Sequence, residues 1–258
     1  MIFKKMESVI LTSYFSRKKH PQAGDGHVIG CQEDGHVKRS DFSYIEKWYN
    51  SITKLNINAR IFYDELSEEF LNEYSTDKIK FIKTDVESTR YSNNDWRFFC
   101  YKKYLDNNKH DVVFMTDCSD VVVVKDPSNL ISECKDYNFF AGRDTIKWGN
   151  YDFAGLSYAE THRKSQWLEP EFFIKNLNLP LINMGVVGGE YDKVVLFLRL
   201  FKQAREGSPL KLNINMATGN FVLRHLLEKE YNICVGAPVT SDYKSYQNDR
   251  TDVYFIHK

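Results

Sequence analysis

Short apolar runs recur along the chain, separated by amphipathic segments. In the first half, runs rich in β-branched and aromatic residues predict strands over Val9–Tyr14, Ala59–Tyr63, Ile79–Ile82 and Val112–Met115. Apolar residues at helical spacing between these runs predict helices from a Ser40 cap to about Leu55, shortly after Ser67, and over Trp96–Asn107. Strands that alternate with helices are typical of a parallel sheet. We therefore predict an α/β protein with a Rossmann-like, mostly parallel central sheet flanked by helices.

The second half of the chain is less regular. Its apolar runs predict strands over Val121–Val124, Phe139–Gly142, Leu181–Gly189, Tyr231–Val235 and Val253–Ile256. Helical patterns predict helices over Pro127–Asp136, Lys193–Glu206 and Met216–Glu230. The segment Arg143–Leu179, which holds Trp148, Tyr151 and Trp167, has no clear period, and we interpret it as a lid or substrate-facing segment. Because no linker interrupts the chain, we predict one domain over 1–258 with two functional halves, about 1–126 and about 127–258.

The run Val112–Met115 contains no polar residue, which is typical of a strand buried on both faces. It is followed by Asp117 and Asp120, two carboxylates that are three residues apart. In open α/β sheets, ligands bind beyond the carboxyl ends of the strands. Like charges repel, so a cation holds such a pair together most easily. Asp also caps turns, so this stretch alone leaves metal binding and turn capping as equal alternatives.

Charge and cysteine content exclude several classes of protein. The 258 residues include 35 Lys plus Arg and 35 Asp plus Glu, and a formal net charge of zero argues against a general nucleic-acid binder. Five scattered cysteines form no C-x-x-C pair, which favours a reducing compartment. The first long loop carries His20, His27, Cys31 and His36, whose irregular spacings match no zinc template. No segment is long enough to cross a membrane, so we predict a cytoplasmic protein without a membrane span.

Several sequence features occur together in an order found in a known family. These are Asp117 and Asp120 after the buried strand, Asn183–Gly189 on a later strand, His257-Lys258 at the end, and Asn93–Phe99 before the buried strand. In these features the chain resembles nucleotide-sugar-dependent glycosyltransferases of the GT-A fold. The variant it resembles has a D-x-x-D metal motif, as in the glycosyltransferase domain of procollagen lysyl hydroxylases. The chain departs from the commoner D-x-D motif, and Asn215 stands where many related enzymes carry an acid.

The resemblance implies the GT-A fold and metal-dependent transfer of a sugar. The donor would be a nucleotide-diphosphate sugar, with UDP-sugars favoured, and the acceptor a hydroxyl of a glycan or glycoconjugate. The first half would bind the nucleotide, and the second half would face the acceptor. A divalent ion neutralises the charge of the leaving diphosphate. Two carboxylates and one imidazole suit Mn²⁺, with Mg²⁺ as the alternative, so we assign Asp117, Asp120 and His257 as metal ligands. Without the resemblance, a solvated His257 would be favoured.

Substrate-binding residues also follow from the resemblance. Thr12, Ser13 and Tyr14 end the first strand, where the family holds the base and ribose, and Tyr14 is a candidate to stack on uracil. Arg97 is expected to contact the ribose or a phosphate, with a salt bridge to a neighbouring residue as an equal alternative. The remaining expected contacts are with Asn183, Gly185, Asn215 and Lys258.

A general base is needed only for one stereochemical outcome. Transfer with inversion requires a carboxylate near the acceptor hydroxyl, and the candidates are Asp144, Asp152 and Glu190. Transfer with retention does not require that base. Both outcomes stay open, and each of the three acids could equally be a solvated surface residue.

Two functions outside this class compete with the glycosyltransferase interpretation. A metal-dependent nucleotidyltransferase would share the metal chemistry, although Phe15–Gly35 lacks the tight glycine cluster that holds a triphosphate. A non-catalytic carbohydrate-binding protein is the second alternative. A phosphatase of the D-x-D-x-T type is disfavoured because Ser119 occupies the position of its second aspartate.

Overall fold

The computed structural model describes residues 6–21, 32–85, 90–147, 152–153, 156–167 and 177–258. His27 and Cys31 of the long loop, and Trp148 and Tyr151 of the expected lid, lie outside the described residues. The strands are β1 (Ser8–Tyr14), β2 (Asn58–Tyr63), β3 (Ile79–Lys83), β4 (Val112–Thr116), β5 (Val121–Val123), β6 (Phe139–Lys147), β7 (Asp152–Phe153), β8 (Leu156–Ser157), β9 (Pro180–Glu190), β10 (Ile233–Val235) and β11 (Phe255–His257). The helices are α1 (Glu46–Leu55), α2 (Glu68–Tyr74), α3 (Asn93–Leu105), α4 (Ser128–Glu133), α5 (Tyr158–Ser165), α6 (Tyr191–Gly207) and α7 (Asn215–Phe221).

Seven of the described strands form one sheet in the order β10-β6-β9-β4-β1-β2-β3. Neighbouring strands from β4 to β3 are parallel, and β10 is parallel to β6. Strand β9 is antiparallel to both β4 and β6. Because β9 reverses direction between them, β4 and β6 end at the same edge of the sheet. The predicted α/β architecture with a mostly parallel central sheet is confirmed.

Strand β4 shows why a continuous apolar run is found at the centre of the sheet. Every residue of β4 is buried. Val113 and Met115 pack into the core on one face, and Val112 and Phe114 pack into the core on the other face. Complete burial of each such side chain stabilises the fold by about 1.5–3 kcal/mol. A strand covered on both faces therefore has no position for a polar side chain until it ends.

Helices cover both faces of the sheet. On one face α3 packs against α6, where the rings of Phe98 and Phe201 lie 4.5 Å apart between centroids. On the other face, α1 supplies Trp48, whose Nε1 donates a hydrogen bond to Thr116 Oγ1 at 2.8 Å. This bond fixes the last residue of β4 immediately before Asp117. Among the described helices, none combines the length and the apolar character needed to cross a lipid bilayer.

Several boundaries differ from those predicted. Helix α1 follows a 3₁₀ turn that Asp41 caps, whereas Ser40 has a left-handed φ of 52° and caps no helix. Strand β6 continues to Lys147, and α5 lies farther along, so part of the expected lid is regular structure. The predicted helix Met216–Glu230 is α7 followed by a π-helical turn, Val222–Leu226.

Strand β11 lies outside the main sheet. It pairs antiparallel with β5, and His257 stands opposite Val121. The chain's last strand therefore pairs with β5 and not with a strand of the main sheet. His257 reaches the edge because β5 begins directly after Asp120, and an antiparallel partner of β5 returns to that same point.

Candidate active site and metal centre

Asp117 and Asp120 follow β4 at the carboxyl edge of the sheet. The amide of Asp117 donates to Gly185 O at 2.8 Å, and Asp120 O accepts a hydrogen bond from Lys258 N at 2.9 Å. These backbone bonds connect the turn to β9 and to the end of β11. The two carboxylates are 30% and 27% exposed, so both can reach a ligand in solution.

His257 completes a three-residue cluster with these acids. Its side chain is only 2% exposed, and its Nε2 lies 3.9 Å from Asp117 Oδ2 and 3.6 Å from Asp120 Oδ2. Its amide donates to Ser241 Oγ at 2.9 Å, and the ring of Tyr243 packs against the imidazole with centroids 4.5 Å apart. The imidazole is therefore held in place by a backbone bond and a ring contact.

The cluster has the donor set and the unmet bonding capacity expected of a cation site. The three ligand atoms all lie within 4.8 Å of one another. Neither ring nitrogen of His257 has a hydrogen-bond partner among the described residues, and the same is true of Asp120 Oδ1. Buried polar atoms left unpaired cost free energy. A divalent cation would take up one ring nitrogen of His257 and a carboxylate oxygen of each acid, and the mixed nitrogen and oxygen donors suit Mn²⁺ better than Mg²⁺.

Gly185 leaves the space in which the cluster sits. A Cβ added at this position would lie 2.2 Å from His257 Cε1 and 2.7 Å from Asp117 Oδ2. The Cβ of any other residue would therefore collide with two of the three residues of the cluster. The pairing of β9 with β6 also shifts in register between Ala141 and Gly142, which indicates a bulge beside this point.

Arg97 of α3 forms an ion pair with Asp117. Its Nη1 donates to Asp117 Oδ1, and its Nη2 donates to Met184 O at 3.1 Å. The guanidinium is 6% exposed and pairs with one oxygen of the carboxylate, so Oδ2 stays directed toward His257. The salt bridge is thus present, while Arg97 also borders the cavity in which a substrate would sit.

Cys118 lies between the two acids in sequence but does not join the cluster. Its side chain is buried, and its Sγ donates to Ser13 O at 3.2 Å. Burial raises the pKa of the Cys118 thiol to about 12. Because only the thiolate binds metals well, Cys118 is not a ligand at neutral pH.

Asp144 lies on β6 and is connected to the metal cluster by hydrogen bonds. Its carboxylate accepts hydrogen bonds from Ile146 N at 3.1 Å and from Asn183 Nδ2 at 3.3 Å. Asn183 Oδ1 in turn accepts a bond from Gly185 N at 2.7 Å. This chain of bonds fixes the positions of Asp144 and Asn183 relative to the metal cluster.

These residues border a cavity of about 240 Å³ at the carboxyl edge of the sheet. The predicted site residues that line it are Arg97, Asp117, Asp120, Asp144, Asn183, Gly185, Asn215 and His257. Their elements are α3, the turn after β4, β6, β9, α7 and β11, so residues far apart in sequence meet here.

A buried ion pair supports the wall of this cavity formed by residues 212–216. Arg205 Nε lies 3.2 Å from Asp95 Oδ1, and neither side chain is exposed. Arg205 also donates to Leu212 O at 3.0 Å, while Ser92 Oγ donates to Asn213 Oδ1 at 3.1 Å. Burial raises the pKa of the Asp95 carboxyl, although Arg205 opposes that shift. The pair joins α3 to α6 and holds the segment that leads into Asn215.

The three predicted residues at the end of β1 lie outside this cavity lining. Tyr14 has no exposed surface, and its hydroxyl donates to Lys38 O, so its ring has no free face for a base. The expected stacking of uracil on Tyr14 is therefore wrong. Thr12 is also fully buried and donates to Thr116 O at 2.8 Å. Ser13 is half-buried beside Cys118.

Two other predicted residues are not at the cavity. Glu190 stands opposite Val112, at the far end of β4 from Asp117, so the expectation that Glu190 acts as a base here is wrong. The two ends of β4, Val112 and Thr116, are four residue steps apart, which is about 13 Å of strand. Lys258 is half-buried and contacts Asp120 through its backbone amide. Asp152 begins β7, and its side chain lies outside the described part of the chain.

Part of the cavity lining carries no signal that was recognised in the sequence. The additional lining residues are Asn94, Thr145, Ile146, Asn213, Met216, Tyr243 and Lys244. Asn94 stands in a segment that carried the resemblance, and Asn213 lies two residues before the predicted site residue Asn215. The amides of Asn94 and Asn213 were the available signal. Tyr243 and Lys244 come from an irregular segment before β11, whose pattern predicts no element and no site.

No family model matches the sequence, and no curated protein matches it. Among solved structures, the chain is similar to two structures of the galactosyltransferase LgtC. One is a complex of LgtC with donor and acceptor sugar analogues, and the other is an active-site mutant of LgtC. Each comparison has a TM-score of 0.52 and 12% sequence identity, and covers 96% of this chain and 86% of LgtC. This likeness concerns the fold. The chain therefore has the GT-A fold of the glycosyltransferases.

Proposed function

We propose that the protein is a metal-dependent glycosyltransferase. It would transfer a sugar from a nucleotide-diphosphate sugar, with UDP-sugars to be tested first, to a hydroxyl of a glycan or glycoconjugate. The observation that best supports this proposal is the cluster of Asp117, Asp120 and His257 at the carboxyl edge of a GT-A sheet. In open α/β sheets this edge is where ligands bind.

The proposed cation ligands are Asp117, Asp120 and His257, with Mn²⁺ preferred over Mg²⁺. When bound, a divalent cation neutralises negative charge that develops on the diphosphate as its bond to the anomeric carbon breaks. Arg97 keeps one oxygen of Asp117 occupied and leaves the other directed toward His257. His257 would act as a ligand through one nitrogen of its neutral imidazole.

The remaining polar side chains of the cavity are assigned to the sugars. Asp144 already accepts two hydrogen bonds, from Ile146 N and Asn183 Nδ2, which hold its carboxylate in a fixed orientation. In transfer with inversion, Asp144 would take the proton of the attacking acceptor hydroxyl. In transfer with retention, it would instead accept a hydrogen bond from a sugar hydroxyl. Asn215 is buried at the start of α7 and offers an amide to the same space.

The experiment is a donor screen that measures release of the nucleoside diphosphate. The wild-type protein is incubated with UDP-, GDP-, CDP- and ADP-sugars in Mn²⁺, and each reaction is repeated with excess EDTA. We expect one donor to be hydrolysed slowly without acceptor, and this activity to disappear with EDTA.

Two matched variants make the screen specific. Asp120→Asn keeps the shape of the Asp120 side chain but removes its negative charge. This variant should lose the hydrolysis of the donor. Asp77→Asn makes the same change at an exposed residue before β3 and should retain it. Absence of turnover with every donor, or turnover that EDTA leaves unchanged, would contradict the proposal. Pyrophosphate release from a nucleoside triphosphate and a sugar phosphate would instead indicate a nucleotidyltransferase.

A further inference from the structure

The segment 240–246, which leads toward β11, is attached to the metal cluster at several points. Ser241 Oγ accepts a hydrogen bond from His257 N at 2.9 Å and donates to His257 O at 3.3 Å. Tyr243 packs its ring against the imidazole. The guanidinium of Arg143 donates two bonds to the carboxylate of Asp242, at 2.8 and 2.7 Å. The segment therefore has a defined position beside the cavity.

Lys244 is held in this segment in an unfavourable backbone conformation. Its φ is 56°, in the left-handed region that residues with a Cβ occupy only at an energetic cost. Its Nζ lies 5.3 Å from the centroid of the Tyr243 ring, and the residue lines the cavity. Surrounding contacts sustain such strain, and strained residues concentrate at functional sites.

The charges that line the cavity leave Lys244 without a carboxylate partner. Three of the lining residues are acids, Asp117, Asp120 and Asp144, and two are cations, Arg97 and Lys244. Arg97 is already paired with Asp117. Lys244 forms no ion pair within the part of the chain that the structure describes.

We propose that Lys244 binds the diphosphate of the nucleotide-sugar donor and makes the cavity prefer nucleoside diphosphates over nucleosides. This inference rests on the proposed function. A divalent cation and Arg97 together balance the three acids, since plus two and plus one equal the three negative charges. The diphosphate of the donor then adds two negative charges, and Lys244 supplies a positive charge toward them from a segment bonded to His257. Lys258, the other basic residue expected to contact the donor, is not among the residues that line the cavity.

The test compares binding of a nucleoside diphosphate with binding of the matching nucleoside. UDP, GDP, CDP and ADP are titrated into the wild-type protein by calorimetry in Mn²⁺, and the tightest of them is used with its nucleoside. Lys244→Gln removes the charge, and Lys244→Arg retains it. Lys80→Ala removes an exposed lysine on β3, the outermost strand of the sheet, and serves as the control.

We expect Lys244→Gln to weaken diphosphate binding by about tenfold, the equivalent of one hydrogen bond to a charged group. Nucleoside binding should not change, and both Lys244→Arg and Lys80→Ala should bind the diphosphate as the wild type does. Lys244→Gly should show the same loss of diphosphate binding without a lower melting temperature, because glycine adopts a left-handed φ without strain. A purely structural role for Lys244 would instead lower the melting temperature and affect both ligands.

The binding experiment distinguishes a failure of the Lys244 assignment from a failure of the proposed function. If the wild-type protein binds a nucleoside diphosphate and Lys244→Gln binds it equally well, the assignment of Lys244 is wrong and the proposed function stands. If the wild-type protein binds none of the four diphosphates in Mn²⁺, the proposed function is overturned, and this inference with it.

Discussion

At the scale of single residues, the candidate site depends on one position without a side chain. Gly185 brings the backbone of β9 against both His257 and Asp117. The carboxylates and the imidazole could be selected from sequence because their chemistry is evident in their residue types. The space that Gly185 leaves for them depends on how β9, β4 and β11 meet, which the sequence does not state.

The change Gly185→Ala should disrupt the metal cluster. Its Cβ would lie 2.2 Å from His257 Cε1, so the imidazole must move away from the acids. We expect Mn²⁺ affinity to fall by at least about tenfold, as when residues that orient metal ligands are changed. Calorimetric titration of Mn²⁺ measures the effect.

Gly207→Ala is the matched control for this prediction. An added Cβ at Gly207, the last residue of α6, meets no atom within 4 Å. This variant should bind Mn²⁺ as the wild type does. Equal affinity in both alanine variants would show that the close approach at Gly185 does not position the ligands.

Residue-scale predictions from sequence failed where burial or strand register decided the outcome. Tyr14 has the right position along β1 to meet a base, but its ring is enclosed by the core. Glu190 is the right type of residue for a base, but the antiparallel register of β9 carries it to the far edge of the sheet. Residue type and position in sequence do not determine either of these facts.

At the scale of elements, strands with strong apolar runs were predicted closely, and elements that depend on tertiary contacts were not. Strand β4 coincides with its apolar run almost completely, since a strand covered on both faces requires one. Strand β6 extends to Lys147 through polar residues because it pairs with the start of β9. No local periodicity predicts that extension.

A substitution in the buried pair of Asp95 and Arg205 is the strongest test of how helices α3 and α6 support the cavity. Arg205→Met leaves Asp95 as an unpaired buried charge, so we expect a loss of about 3–5 kcal/mol in the free energy of unfolding. Denaturant titration monitored by circular dichroism measures this loss.

Lys202→Met provides the comparison on the same helix, α6. Lys202 lies 3.7 Å from Glu206 in an exposed pair. Removing it should change stability by less than about 1 kcal/mol. Similar losses in both variants would mean that the pair of Asp95 and Arg205 contributes no more than a surface contact.

At the scale of the whole molecule, the layered α/β architecture could be predicted but the strand directions could not. Alternating strands and helices indicated a parallel sheet, and most of the sheet is parallel. The reversal at β9 and the separate β5–β11 pair depend on contacts between distant parts of the chain. These two features bring Asn183, Gly185 and His257 to the acids that follow β4.

Acid should destabilise the whole molecule through a buried histidine. His162 of α5 is 2% exposed, and burial, assisted by the nearby charge of His225, lowers its pKa to about 3. In the unfolded chain its pKa returns to about 6.5. Below that value the unfolded state binds a proton that the folded state does not, so stability falls as the pH drops from 6.5 toward 3.

The variant His162→Gln isolates this effect. Its free energy of unfolding should decline less steeply than that of the wild type between pH 6.5 and 5, by up to about 1.4 kcal/mol per pH unit. Comparing slopes removes any constant change in stability that the substitution causes. Parallel stability curves for the two proteins would show that His162 is protonated equally in the folded and unfolded states.

The central claim is that Asp117, Asp120 and His257 hold a divalent cation, and direct titration of Mn²⁺ tests it most plainly. Free Mn²⁺ is counted by electron paramagnetic resonance in the wild type, Asp120→Asn, His257→Gln and the surface control Asp77→Asn. The account predicts one Mn²⁺ per chain in the wild type and in Asp77→Asn. It also predicts an affinity at least about tenfold weaker in both ligand variants. Binding by Asp120→Asn and His257→Gln as tight as that of the wild type would contradict it.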